Sequence, residues 1–235
     1  MEIFVSSRNA RDFEKLLQKC SELGFSGIEL DHKDINERNL NLLSKYKSKV
    51  RVIGIAAKYK DFKYQLFVAE SLNCEYISLP LNNPNDLQKI RIIADSAKNL
   101  GIIVAIENNK SSELYNTEKE LLSILERLNM ENVKLLINTA DAKVFNASLM
   151  DFNKIKNKIM AFHLSDIYGR TTGLPYGLGK YEYINPIIMG FKKEKTPWII
   201  RLDEKYDLMD AFLSKENFVK YVKSVGEINK ILPHY

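Results

Sequence analysis

Three ionisable side chains close short apolar runs in this sequence. Glu107 ends GIIVAIE (101–107), His163 lies inside IMAFHLSD (159–166), and Arg201 follows PWII (197–200). Such groups are costly in an apolar core unless they are paired or face a wet mouth. Asp141 follows a further apolar run, VKLLINTA (133–140). Carboxylates with one imidazole suit a hard or borderline divalent ion, so Glu107, Asp141 and His163 are a candidate site for one Mn²⁺, Mg²⁺ or Zn²⁺. The same residues suit proton transfer beside a carbonyl. Glu107 is then the general base, His163 a ligand or electrophile, and Lys58 or Arg201 the cation that meets the enediolate charge. Glu29, Asn138 and Asp166 end other runs and are candidates for binding substrate. In GLPYGLGK (173–180), Gly177 and Gly179 could bring backbone N–H groups close to an anion, with Lys180 adding charge. For each residue the plain alternative is an ion pair or a turn with a structural role only.

The elements that must position these residues alternate along the whole chain. Apolar runs at 2–5, 26–30, 50–57, 74–81, 101–109, 133–140, 159–166 and 197–203 read as eight strands. The near-continuous apolar character of 50–57 is that of a parallel strand covered on both faces. Amphipathic stretches follow the strands: 11–24, a polar helix carrying Leu40, Leu42 and Leu43, 61–73, 86–100, 117–129, one within 145–157, a short one near 183–191, and 215–232. Thr117 with Glu120 three residues on is a capping-box start. A repeat of about thirty residues predicts an α/β chain forming a single (β/α)₈ TIM barrel over residues 1–235, with an open doubly wound sheet as the other architecture. In such a barrel the chemistry gathers at the C-terminal ends of the strands, where the residues above fall.

Composition narrows the function classes. Of 235 residues, 45% are hydrophobic and 28% charged, which excludes a disordered or low-complexity chain. The net charge of +5 is spread along the chain, so it favours small anions weakly and gives no stripe for nucleic acid. Cys20 and Cys74 are too few for a disulfide framework and read as buried thiols in a reducing compartment. No apolar run is long enough to span a membrane and the start lacks a signal-peptide pattern, so a cytoplasmic location is expected. No Walker or Rossmann glycine fingerprint appears, which argues against nucleotide cofactors.

The order GFSGIELD (24–31), GIIVAIENN (101–109), INTADA (137–142), AFHLSD (161–166), LPYGLGKYEY (174–183) and PWIIRLD (197–203) resembles the xylose isomerase-like TIM barrel superfamily. That group includes sugar and sugar-phosphate isomerases and epimerases and the AP endonuclease family 2 domain. The resemblance implies a divalent metal held by a Glu ending strand five, an Asp and a nearby His after strand six, a His ending strand seven and a Glu ending strand eight. Glu107 and His163 match. Asn138 stands where the strand-six Asp is expected, Asp141 where the following His is expected, and Arg201 where the strand-eight Glu is expected. A guanidinium stays protonated and cannot act as the second acid–base group. We therefore expect a degenerate metal site in which Arg201 occupies or borders the metal position and pairs with Glu107 and Asp141. The competing reading keeps the metal and turns Arg201 outward to a substrate phosphate or carboxylate. With His32, His163 and His234 as the only histidines, the multi-metal endonuclease site is not expected. The resemblance implies a sugar or sugar-phosphate isomerase/epimerase acting on a small sugar-like or phosphorylated metabolite. The alternative is a catalytically degenerate barrel that binds a polar anionic metabolite or a protein partner.

Overall fold

The computed structural model describes residues 1–108, 117–144, 148–191 and 194–231. Its strands are β1 (Ile3–Ser6), β2 (Ile28–Asp31), β3 (Val52–Ala56), β4 (Tyr76–Pro80), β5 (Ile103–Glu107), β6 (Val133–Asn138), β7 (Ile159–Leu164), β8 (Asp166–Tyr168), β9 (Thr171–Leu174) and β10 (Trp198–Ile200). All but β8 and β9 close into a parallel barrel in the order β1-β10-β7-β6-β5-β4-β3-β2. The helices are α1 (Phe13–Glu22), α2 (Glu37–Tyr46), α3 (Phe62–Ser71), α4 (Asp86–Lys98), α5 (Glu118–Leu128), α6 (Thr139–Val144), α7 (Asn185–Phe191) and α8 (Leu208–Ile231). The expected (β/α)₈ architecture is therefore the observed one.

Local chemistry sets the helix starts. The Asp12 carboxylate accepts the Lys15 N–H at 3.1 Å, so α1 begins where Phe13, Leu16, Leu17 and Cys20 can bury one stripe against the barrel. Thr117 and Glu120 form the expected reciprocal cap of α5. Asp207 and Asp210 cap each other in the same way, which starts the last helix at Leu208 rather than near 215. Residues 232–235, with His234 and the expected end of that helix, lie outside the described residues.

Two connections differ from expectation. In place of a helix within 145–157, α6 starts directly after β6, because the Asn138 side chain accepts the Asp141 N–H at 3.2 Å. A 3₁₀ stretch, Asp151–Lys158, then leads into β7, and residues 145–147 lie outside the described ones. The long segment after β7 carries an antiparallel hairpin, β8 with β9, whose turn uses Gly169 at a φ of 60°.

The strand pleat explains the barrel mouth. Phe4, Tyr76, Ala105, Leu136, Ala161 and Ile199 form an apolar cluster inside the barrel. Side chains two residues apart share a face. The next interior layer toward the strand C-termini is therefore Ser6, Ser78, Glu107, Asn138, His163 and Arg201. In each of these six strands an apolar plug is followed, one pleat period later, by a polar group. Tyr76 fills the space that Gly54 leaves open, since a Cβ there would sit 2.5 Å from its ring. Among the described residues no helix is long and apolar enough to cross a membrane.

Candidate active site

The polar layer is an ionic chain of alternating sign. His163, 1% exposed, has its Nδ1 2.7 Å from Glu107 Oε1 and its Nε2 3.0 Å from both oxygens of Glu29. The Tyr76 hydroxyl donates to Glu29 Oε1 at 2.9 Å, and Arg201 Nη1 donates to Glu29 Oε2 at 3.3 Å. Arg201 Nη2 lies 4.0 Å from Asp31, whose other oxygen is 3.0 Å from His32 Nδ1. The register places these groups together. A one-residue shift between β6 and β7 sets Asn138 beside His163, and β7 pairs with β10, whose continuation to Arg201 is fixed by the Arg201 N–H donating to the Leu164 carbonyl at 3.1 Å.

The charges hold one another in place. Burial pushes the Glu107 carboxyl up, but His163 and Arg201 outweigh it and bring the pKa from 4.5 to about 2. Burial raises Glu29 as well, and His163 and Arg201 again leave it below the usual range. Burial would drive a proton off His163, yet Glu29 and Glu107 raise its pKa above 6.5. Arg201 is likewise raised, because Glu107, Glu29 and Asp31 outweigh the cost of burial. Both ring nitrogens of His163 thus face carboxylates, an arrangement in which the acids favour the protonated ring.

Above this layer a polar cleft of about 490 Å³ opens at the strand C-termini. Lys58, Ser78 and His32 line its β2–β4 side, Glu107, Asn138 and Asp141 its β5–β6 side, and Arg201 completes the ring. Arg201 reaches the cleft with 15% of its side chain exposed. Lys58 has its backbone fixed by buried Gln65, whose amide accepts the Lys58 N–H at 2.9 Å and donates to the carbonyls of Lys58 and Lys60 at 3.1 and 2.7 Å.

Several candidates sit apart from the cleft. Glu29 is fully buried beneath it and binds His163, Tyr76 and Arg201 rather than an open site. The expected partners of Arg201 were Glu107 and Asp141. Its hydrogen bond goes instead to Glu29, with Asp31 next and Glu107 acting through charge. The carboxylate of Asp166 accepts the N–H groups of Gly177 and Gly179 at 2.9 and 2.8 Å, so the anion those amides hold is the protein's own. Lys180 is exposed beyond the cleft, its N–H bonded to the Ile167 carbonyl. Tyr76, Ser78 and Gln65 were not singled out from sequence. Counting two residues along each strand from the apolar plug would have found the first two; nothing in the sequence marks Gln65.

The residues do not fit a divalent ion on Glu107, Asp141 and His163. Both ring nitrogens of His163 are already engaged by carboxylates, Nδ1 by Glu107 and Nε2 by Glu29, and the Arg201 guanidinium supplies fixed positive charge beside Glu29 and Asp31. Among the described residues no three His, Cys, Asp or Glu side chains are grouped to hold a metal.

No protein-family model and no curated protein matches the sequence. Solved structures do match it over nearly the whole of this chain. A D-tagatose 3-epimerase-like protein superposes with a TM-score of 0.81 at 18% identity, covering 97% of this chain and 99% of that one. A xylose isomerase domain protein from Alicyclobacillus acidocaldarius gives 0.77 at 14%, covering 96% and 99%. A probable 3-DHS dehydratase from Bacillus anthracis gives 0.73 at 16%, covering 94% and 99%. The chain has the fold of the xylose isomerase-like TIM barrels. Structural neighbours with that fold include a D-psicose 3-epimerase, an L-ribulose 3-epimerase and the probable dehydratase.

Proposed function

We propose that this protein acts on a small sugar-like carbonyl compound by moving a proton at the carbon next to the carbonyl, as a sugar or sugar-phosphate isomerase or epimerase does. One observation carries the reading: Glu107 and Arg201 line one polar cleft at the strand C-termini, an ionised carboxylate and a fixed cation side by side. In the proposed step the Glu107 carboxylate takes the C–H proton, and the electron pair of that bond forms the C=C of an enediolate. The displaced carbonyl electrons rest on oxygen, where Arg201 meets the charge. His163 holds Glu107 ionised and oriented. A carboxylate of low pKa is a weak base, so most of the barrier lowering falls to Arg201, whose charge is in place before the reaction begins. The same low pKa favours the second reading, a barrel that binds a polar anionic metabolite without turnover.

A panel of ketose and aldose phosphates incubated in D₂O and followed by proton NMR tests the proposal. Deuterium entering the carbon next to the carbonyl, at a rate cut at least a hundredfold in Glu107→Gln, supports it. The absence of exchange with every compound leaves the binding reading in its place.

A further inference from the structure

The β2–β4 side of the cleft carries polar groups that the protein itself leaves unanswered. Ser78 is 1% exposed, shares the interior face with Tyr76 and lines the cleft, yet its Oγ has no hydrogen-bond partner among the described residues. His32 Nε2, on the same side, is also buried without a partner among them. A buried polar group left unpaired is costly, and two beside one cleft mark a place where something polar completes them.

Between them stands Lys58, whose ammonium has no ion-pair or hydrogen-bond partner among the described residues, although Gln65 fixes its backbone with three hydrogen bonds. Glu107, Asp141 and Asp203 also line the cleft, and the acids of the β2 end and the Glu204 rim have cations of their own. Glu29 and Asp31 face His163, Arg201 and His32, and Glu204 at the rim pairs with Arg8 and Lys33. The loop that sequence alone suggested for an anion, around Gly177 and Gly179, is filled by Asp166.

The geometry points to an oxyanion subsite on the β2–β4 side, in which the Lys58 ammonium and the Ser78 hydroxyl hold a phosphate or carboxylate of a polyhydroxy ligand while His32 Nε2 bonds a neighbouring hydroxyl. The roles follow from the donor inventory. Lysine and serine donate, and His32, its Nδ1 held 3.0 Å from the Asp31 carboxylate, presents Nε2 to a hydroxyl that can give or take the bond. The subsite deepens the proposed function by naming the end of the substrate that is gripped. It rests on that reading only for what occupies the rest of the cleft.

Binding needs no turnover, so titration calorimetry separates the two proposals. The probes are D-fructose 6-phosphate, D-glucuronate and neutral D-fructose. An affinity at least tenfold higher for either charged sugar than for D-fructose is expected, and which of the two binds tighter assigns phosphate or carboxylate. Lys58→Met removes the preference. Ser78→Ala weakens the charged probe about tenfold while leaving the melting temperature unchanged or raised, because it deletes an unpaired buried hydroxyl. Equal affinity for neutral and charged sugars, a preference that survives Lys58→Met, or no binding by any probe at 10 mM overturns the inference. Loss of deuterium exchange with charge-selective binding intact overturns the proton-transfer reading alone.

Discussion

His163 Nε2 lies 3.0 Å from both carboxylate oxygens of Glu29, an acid with no exposed surface. Neither group is tolerable alone in the barrel interior. A buried carboxylate without a counter-charge takes up a proton, and a buried imidazolium loses one. Together, with Glu107 on the other ring nitrogen and Arg201 on the far oxygen of Glu29, they keep four charges beneath the cleft with near-balanced sign. This floor makes the cleft's electrostatics a fixed property of the fold.

Stability should follow pH through this network, with a sign set by each group. Glu107 has its pKa lowered from 4.5 to about 2, so its contribution is present above 4.5 and is lost as pH falls toward 2. A shift of that size corresponds to about 3 kcal/mol. His163 is raised above 6.5, so its contribution is full below 6.5 and declines as pH climbs through its folded value. Asp34 and Asp166, whose pKa values burial raises, act in the opposite sense in acid, so the comparison is made between variants. Urea denaturation from pH 2.5 to 8 should show the wild type gaining over Glu107→Gln between pH 2.5 and 4.5. Parallel curves across that range contradict the assignment.

Arg201→Gln should be strongly destabilising although the residue stands at the edge of a cleft. It leaves Glu29 buried with His163 as its one remaining cation, and breaking a buried pair from one side costs on the order of 3 kcal/mol. In the double variant Glu29→Gln with Arg201→Gln the loss should be smaller than the sum of the two single losses, because the partners act on each other. Additive losses in guanidinium denaturation would show that the 3.3 Å contact carries no energy.

Gln65→Leu should loosen Lys58 without touching the cleft. The side-chain amide holds both the N–H and the carbonyl of Lys58, and its loss leaves those backbone groups to water or unpaired, at about 1–3 kcal/mol. Amide exchange at Lys58 should quicken by tenfold or more. The preference for D-fructose 6-phosphate over D-fructose should shrink too, a change that a loss of packing alone does not produce. Gln65→Glu, which keeps the acceptor for the Lys58 N–H, should restore part of the protection.

The barrel was legible because each strand is a short apolar run and each helix an apolar stripe, signals that need no tertiary knowledge. Glu107, His163 and Arg201 were legible for the same reason: a charge inside an apolar run has few places to go. Their pairing was not. Glu29 within β2 and Glu107 at the end of β5 carry the same side chain, yet only the register of the closed barrel decides that Arg201 donates to Glu29, 172 positions earlier in the chain. The hairpin β8–β9 gives no such signal, because Thr171–Leu174 is a polar, half-buried segment without a hydrophobic run. In sequence Gly177 and Gly179 have the look of free donors, and only the folded loop shows the carboxylate of Asp166 accepting from both.

That carboxylate gives the last prediction. Asp166 accepts the N–H groups of Ile167, Gly177 and Gly179, and so ties the segment after β9 to the end of β7. The carboxyl is nonetheless raised by burial, which the three N–H groups only partly offset. Asp166→Ala deletes every acceptor and strands two glycine amides with little else to bind, so the loop around 175–180 should open. Limited proteolysis should then cut within that segment at least tenfold faster than in the wild type, with the barrel fragment surviving. Asp166→Asn keeps one acceptor oxygen and should fall between the two. The direction with pH is opposite to that of Glu107: a raised carboxyl favours the folded state more as pH falls through its folded pKa, so mild acid should not by itself release the loop. Faster cleavage of the wild type at pH 5 than at pH 7, after correction for the protease's own pH dependence, would contradict the assignment.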